Sequence, residues 1–143
     1  MKGFLLDTNV ISEMTRPKPE SRVSEWLDSI DEAMLYLSVL TLGEIRKGLS
    51  MLGPSPRRAR LEAWLLTDLP IRFAGRLLDI DSAIADRWGQ LAGHAHRQGK
   101  ALPVIDGLLA ATALHHDLTI ATRNVRDFSL HGVQCFDPWA HAL

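Results

Sequence analysis

Short apolar runs alternate along the chain with longer segments in which apolar residues recur every three or four positions. The short runs cover residues 4–6, 35–39 and 118–121, and a further short segment near the end of the chain covers 133–136. A short apolar run that is bounded by polar residues is typical of a buried strand. The polar residues that follow the first run, at 7–9, indicate that this strand continues into a loop.

The longer segments predict amphipathic helices over residues 21–30, 57–69, 84–95 and 104–116. Pro70 is expected to end the second helix, and Pro103 directly precedes the fourth. Asp81 or Ser82 is the expected N-cap of the third. Short buried strands that alternate with helices predict an α/β fold in three layers, a central parallel sheet flanked by helices on both faces. Ligands of such sheets bind at the carboxyl ends of the strands.

The composition is that of an ordinary globular domain. The chain has 143 residues, of which 46% are hydrophobic and 23% are charged, and this favours a single domain over residues 1–143. Because Cys135 is the only cysteine, no intrachain disulfide can form, which favours a reducing compartment. No segment approaches the about 18 uncharged apolar residues of a membrane helix. We therefore expect a cytoplasmic protein that does not contact a membrane.

The charge balance narrows the ways in which the chain could bind nucleic acid. Sixteen Lys and Arg residues against seventeen Asp and Glu residues give a formal net charge of −1. Because this excludes a general attraction to phosphates, any such binding must come from local basic residues. The candidates are Arg46, Lys47, Arg123 and Arg126. A further basic cluster at 57–60 is typical of a solvated helix face.

Acidic residues follow the first two predicted strands. Asp7 ends the first strand, where a carboxylate needs a partner or a metal ion to offset its loss of water. Helix capping is the alternative interpretation of this residue. Glu44 stands among apolar residues at helical spacing, although an ordinary glutamate would lie on the solvent face.

Asp106 is the most informative acidic residue, because it is the only charged position in 101–114 and begins a predicted helix. N-capping is its structural alternative. After the strand at 118–121 come Thr122, Asn124 and Asp127. Oxygen ligands that converge at one sheet edge are typical of a Mg²⁺ or Mn²⁺ site.

Other catalytic signatures are missing from the sequence. It has no nucleophile-elbow serine, no G-x-x-x-x-G-K-[ST] loop and no G-x-G-x-x-G segment. Cys135 is expected to be a small buried hydrophobe rather than a nucleophile. The four tryptophans, at 26, 64, 88 and 139, are expected in the core or at a subunit interface.

Four blocks of the chain resemble, in order, those of the PIN-domain ribonucleases. They are LLDTNVIS at 5–12, LTLGEIRKG at 40–48, PVIDGLLAATAL at 103–114 and IATRNVRDF at 120–128. The chain is most similar to the VapC toxins of bacterial type II toxin–antitoxin pairs, in their FitB-like branch. The resemblance implies a single PIN domain, usually a homodimer, that cuts RNA with a divalent metal ion and is inhibited by a small VapB-like antitoxin.

The resemblance also implies roles for individual residues. Asp7, Glu44 and Asp106 match the acidic residues that hold Mg²⁺, with Mn²⁺ as the alternative ion. Many relatives carry a further aspartate where this chain has Asn124, and Asp127 follows three residues later. Either of these two is expected to orient water or a weaker second ion, which completes the expected catalytic set.

Two other functions compete with RNA cleavage. A metal-dependent phosphatase could use Asp7 as a covalent nucleophile, but its motif needs a second aspartate where Asn9 stands. A non-catalytic PIN-like module would use the same carboxylates only to bind a partner. If the chain is a toxin, an antitoxin arginine is expected to pair with the carboxylates, and Trp26 and Trp64 are the expected apolar contacts.

Overall fold

A computed structural model describes residues 2–142, in which five parallel strands form one sheet. The strands are β1 (Phe4–Leu6), β2 (Leu35–Ser38), β3 (Leu77–Leu78), β4 (Thr119–Ala121) and β5 (Cys135–Phe136). Their spatial order is β3-β2-β1-β4-β5, so the order reverses between β1 and β4. The predicted parallel α/β architecture is confirmed. The edge strand β3 was not predicted, because two residues are too few to show a hydrophobic pattern.

Eight α-helices connect and cover these strands in the described part of the chain. They are α1 (Thr8–Glu13), α2 (Ser21–Ser29), α3 (Val39–Ser50), α4 (Pro56–Ala63), α5 (Leu69–Arg72), α6 (Ser82–Arg97), α7 (Val104–His116) and α8 (Val125–Ser129). The expectation of a loop after β1 is wrong, since α1 begins at the residue that follows Asp7. Asp81 caps α6 by accepting the N–H of Ile84 at 2.9 Å.

The helix over the sheet's β2 side does not end at Pro70 as predicted. After α4 the chain widens into a π-helical segment (Trp64–Asp68) and continues as α5 to Arg72. Leu65, Leu69 and Phe73 recur every four residues and are buried, so they hold one continuous stripe against the core. Pro70 lies in the first turn of α5, where its missing N–H costs little.

The core forms two apolar layers, one on each face of the sheet. Phe4 and Leu6 face one layer and Leu5 faces the other, as the alternation along a strand requires. In the first layer Trp26 packs edge-on to Phe4 at 5.0 Å between ring centroids and stacks on Phe136 at 5.2 Å. Within residues 2–142 no helix has both the length and the apolar character to span a bilayer.

On the second face, α6 packs along α7 at a point next to Asp106. A Cβ atom at Gly107 would lie 2.8 Å from Cδ1 and 2.9 Å from Nε1 of Trp88, so the indole occupies the space of a side chain at this position. The indole N–H is buried and has no hydrogen-bond partner in the described structure. This contact fixes the distance between the two helices beside the start of α7.

Candidate active site

Asp7 directly follows β1 and is buried, with 8% of its surface exposed. Its N–H extends the sheet by donating to the carbonyl of Ala121 at 2.9 Å. Its Oδ1 accepts the N–H of Thr8 at 2.8 Å, and its Oδ2 accepts the hydroxyl of Thr122 at 2.8 Å. Asp7 therefore caps α1, as the alternative interpretation proposed, and still directs a second oxygen towards the strand-end residue of β4.

The electrostatic surroundings of Asp7 disfavour its charge. Burial raises the pKa of this carboxyl above its ordinary value, the hydrogen bonds from Thr122 and Thr8 oppose the shift, and the negative charges of Glu44 and Asp106 add to it. A buried acid that is surrounded by other acids favours the binding of a proton or a cation.

Glu44 lies on α3 and points towards α1 rather than into solvent. Its Oε1 accepts the hydroxyl of Thr8 at 2.6 Å. Thr8 thus serves two acids, because its backbone N–H binds Asp7 and its side chain binds Glu44. No role for Thr8 in positioning the acids was predicted from the sequence. The available signal was a hydroxyl residue directly after the strand-end aspartate.

Asp106 lies in the first turn of α7, but the N-capping interpretation is wrong for it. Pro103 is the N-cap of α7, and no side chain caps that end. Burial is the largest cause that raises the pKa of Asp106 above its ordinary value, and the negative charges of Asp127 and Glu44 raise it further. Its carboxylate is therefore free to bind a ligand.

Two candidate residues of the segment after β4, Asp127 and Asn124, differ in their position relative to Asp106. Asp127, in the first turn of α8, shares with Asp106 the lining of a cavity of about 290 Å³. Asn124 donates its backbone N–H to the hydroxyl of Thr122 at 2.9 Å, while its exposed side chain makes no capping bond to α8. The structure thus brings Asp127 beside Asp106, whereas the Asn124 side chain is exposed and does not line this cavity. We call Asp7, Glu44, Asp106 and Asp127 the acidic site.

The acidic site fits a hard divalent cation by its chemistry. It offers only oxygen donors, and none of its four carboxylates forms an ion pair with Lys or Arg within residues 2–142. Their mutual repulsion contributes to the raised pKa values of Asp7 and Asp106. No three Asp, Glu, His or Cys side chains of the described residues are yet close enough to hold an ion, so binding requires these side chains to converge.

The basic residues expected at the rim have different surroundings. Arg46 forms an ion pair with Glu62 of α4 at 3.3 Å. Lys47 and Arg126 are exposed and have no ion-pair partner in the described chain. The guanidinium carbon of Arg123 lies 5.1 Å from the ring centroid of Trp139, a cation–π contact.

Trp26 and Trp64, the expected apolar contacts of an antitoxin, lie in different surroundings. Trp26 is only 3% exposed and packs between aromatic rings of the core, so it is not available to a partner. Trp64 is half-buried and, with Leu61, Ile45 and Leu49, lines a cleft of about 190 Å³ that reaches Glu44. We call this cleft the Glu44 cleft.

Cys135 is half-buried. Burial, and to a smaller extent the negative charge of Asp7, raises the pKa of its thiol to about 11, which suits a thiol that does not react.

Fold and site together define a doubly wound α/β protein with an acidic site where its strand order reverses. The chain belongs to the PIN-domain family, whose profile matches residues 4–131. This confirms the family resemblance of the four sequence blocks and the predicted fold.

Similar proteins cover almost the whole chain. Toxin FitB of Neisseria gonorrhoeae is 42% identical over 136 residues, which are 95% of this chain and 98% of FitB. VapC ribonuclease Y4jK of Sinorhizobium fredii is 35% identical over 97% of this chain and 99% of its own length. The crystal structure of FitAcB from Neisseria gonorrhoeae superimposes with a TM-score of 0.89 and 41% identity, covering 96% of this chain and 99% of that one.

Proposed function

We propose that this protein is a VapC-type toxin that hydrolyses phosphodiester bonds of RNA. The observation that carries the proposal is the acidic site, in which carboxylates from the end of β1 and from α3, α7 and α8 lie near one sheet edge, and none of them has an ion-pair partner within residues 2–142. Relatives named as a toxin and as a VapC ribonuclease, similar over nearly the whole chain, support the same activity.

Asp7, Glu44 and Asp106 would hold Mg²⁺, or Mn²⁺ as the alternative ion, because hard cations favour carboxylate oxygens. When bound, the ion would supply Lewis-acid activation of the scissile phosphate and of water. Thr122 holds Asp7 and Thr8 holds Glu44, so two of the three acids are oriented before a ligand arrives. Asp127 would orient water from the side of Asp106, with Asn124 at the rim.

The residues around Asp7 disfavour the phosphatase alternative. That chemistry needs a general acid at the position of Asn9, but the Asn9 amide donates to the Thr122 hydroxyl at 3.5 Å and accepts the N–H of Arg123 at 3.4 Å. An amide in this role links two strand ends and has no proton to deliver to a leaving group.

A toxin of this type needs an inhibitor within its own cell. Solved relatives are complexes with FitA-type and VapB-type antitoxins, which supports a small cognate antitoxin for this chain. The family resemblance also supports a homodimer. We also propose a cytoplasmic location, because the proposed substrate is RNA and a single cysteine favours a reducing compartment.

Substitution of the acids tests the proposal. Asp7→Asn and Asp106→Asn each remove a charged oxygen without changing volume, so we expect cleavage of single-stranded RNA in Mg²⁺ to fall by at least about 100-fold, as for other lost charge-stabilising groups. The matched control is Asp79→Asn, an exposed residue that makes no hydrogen bond or ion pair within residues 2–142. Full cleavage by either site variant would remove that residue from the mechanism. Release of phosphate from small phosphomonoesters without RNA cleavage would instead favour the phosphatase.

A further inference from the structure

A second, strongly polar cleft of about 330 Å³ lies beside the strand ends of β4 and β5. Its lining includes Arg16 and Lys18 from the segment between α1 and α2, Arg123 from the segment after β4, and Trp139 from the segment after β5. We call these four residues the basic cleft. Neither the proposed metal ligands nor the Glu44 cleft includes any of them.

A buried carboxylate holds the first wall of the basic cleft. Glu13 is 6% exposed and accepts the N–H of Glu20 at 3.0 Å and Nη1 of Arg16 at 3.3 Å. It therefore ties together both ends of the segment that carries Arg16 and Lys18. The prolines at 17 and 19 restrict the backbone of the same segment further.

The opposite wall is ordered by an aromatic ring. The guanidinium of Arg123 lies over the ring of Trp139, and the carbonyl of Trp139 accepts Nη1 of Arg22 at 3.4 Å. Because the flat face of the guanidinium lies on the ring, the N–H groups at the edge of the guanidinium remain free to donate to a ligand. Arg123 has no carboxylate partner within residues 2–142.

The exposed charge of the basic cleft is positive. Three cations line it together with two carboxylates: Glu13 is buried and paired with Arg16, and Glu20 is exposed and accepts the backbone N–H of Arg22. The lining therefore carries one net positive charge. Lys18 and Arg123 are left without an ion-pair partner in the described chain. In a protein whose net charge is −1, this is a local reversal of sign.

A short chain of hydrogen bonds connects the basic cleft to the acidic site. The N–H of Arg123 donates to Oδ1 of Asn9, and Nδ2 of Asn9 donates to the hydroxyl of Thr122. That hydroxyl donates to Oδ2 of Asp7. Arg123 is thus placed by the same residues that place Asp7, so a ligand that extends from the acidic site would reach the basic cleft next.

We propose that the basic cleft binds a backbone phosphate of single-stranded RNA that flanks the scissile one, with Arg123 and Lys18 as the contacts. This inference rests on the proposed ribonuclease activity. The acidic site by itself repels RNA, so productive binding needs positive charge close by. A guanidinium matches phosphate oxygens as a fork, and the lysine adds a point charge.

Salt-dependent binding tests the proposal. We would measure the affinity of the cleavage-impaired Asp7→Asn protein for a fluorescein-labelled, mixed-sequence single-stranded RNA by anisotropy in Mg²⁺ over a KCl series. Adding Arg123→Gln or Lys18→Gln should weaken binding several-fold. Each should also reduce the slope of log K against log salt by about 0.7, the value for one lost phosphate contact.

Arg87→Gln is the matched control, because Arg87 is an exposed arginine on α6 that lies outside the basic cleft and makes no ion pair within residues 2–142. Salt slopes of the Arg123 and Lys18 variants equal to that of the control would overturn the proposal. So would loss of antitoxin binding with unchanged RNA binding, which would assign the cleft to a protein partner.

Cleavage kinetics separate this inference from the proposed function. In the otherwise unaltered protein, Arg123→Gln should raise KM several-fold with little change in kcat, because the contact is the same in the ground state and the transition state. A fall in kcat without a change in KM would contradict a flanking-phosphate site. If the unaltered protein neither binds nor cleaves RNA, the proposed function itself fails.

Discussion

At the scale of single residues, the acidic site depends on hydroxyl groups as much as on acids. Thr8 binds Asp7 through its N–H and Glu44 through its hydroxyl, and Thr122 binds Asp7 while it accepts the N–H of Asn124. Asp106 has no such support, since its surroundings raise its pKa only by burial and by neighbouring charge. The charge of Asp106 therefore costs the folded protein stability, and no hydrogen bond within residues 2–142 offsets this cost.

The stability of the metal-free protein should show this cost. The pKa of Asp106 is higher in the folded protein than its ordinary value of 3.8. The protonated carboxyl therefore contributes fully to stability below pH 3.8, and this contribution is lost as the pH rises through the raised pKa. Asp106→Asn should therefore melt on the order of 1–3 °C above the unaltered protein near pH 8. The gain should vanish towards about pH 4.

Melting curves over this pH range, with Asp79→Asn as the control, decide the question. Addition of Mg²⁺ should raise the melting temperature of the unaltered protein more than that of the variant, since a ligand stabilises the form that binds it. If the melting temperature of Asp106→Asn exceeded that of the unaltered protein by more at low pH than at high pH, the pKa of Asp106 would not be raised by folding.

At the scale of elements, the position of Asp106 depends on how α7 packs against α6. The indole of Trp88 fills the space beside the Gly107 backbone, and the helices approach closely because no Cβ atom intervenes. At Gly93, on α6, a Cβ atom would have no atom of the described residues within 4 Å apart from its chain neighbours and the backbone of its own helix. The two helical glycines therefore differ in packing while sharing the same backbone conformation.

Replacing each glycine by alanine should have opposite effects. Gly107→Ala places a methyl group 2.8 Å from Trp88 and should destabilise the fold by about 1–3 kcal/mol. Gly93→Ala should stabilise it by about 0.5–1 kcal/mol through helix propensity alone. Urea denaturation measures both values, and RNA cleavage should fall for the first variant only. Equal stability of the two variants would show that the α6–α7 contact can relax without cost.

At the scale of the whole molecule, three surfaces border one sheet edge: the acidic site, the basic cleft and the Glu44 cleft. The last combines the apolar side chains of Leu61 and Trp64 with one carboxylate, Glu44. That combination suits an antitoxin segment that inserts an apolar side chain and directs an arginine at the carboxylate. Inhibition would then follow from occupation of Glu44.

Removal of the Trp64 ring should therefore weaken the antitoxin complex. Trp64→Ala should raise the dissociation constant at least about tenfold, as for a buried aromatic anchor. Leu66→Ala is the control, because Leu66 lies on the same helical segment, is 66% exposed and does not line the cleft. Titration calorimetry with the co-expressed antitoxin measures both values. An unchanged affinity for Trp64→Ala would place the antitoxin on another surface.

The sequence by itself determined the strand–helix alternation and the parallel sheet, because buried strands leave local patterns. It also singled out Asp7 as a carboxylate that follows a buried strand, and Glu44 and Asp106 as charges within apolar segments at helical spacing. It did not determine where the helix around Pro70 ends, since a buried stripe of leucines overrides the local effect of proline. Trp26 and Trp64 look alike as residues on amphipathic segments. Only packing places one between core rings and the other on a cleft.

The different surroundings of Asn124 and Asp127 also follow from the tertiary structure. Both follow β4 in the same block, and only the direction of α8 brings Asp127 to the cavity beside Asp106. The basic cleft gathers side chains that are more than 100 residues apart in the chain, from Arg16 to Trp139. A sequence pattern reports each residue's own neighbours, whereas a site of this kind exists only once β1, β4 and β5 lie side by side.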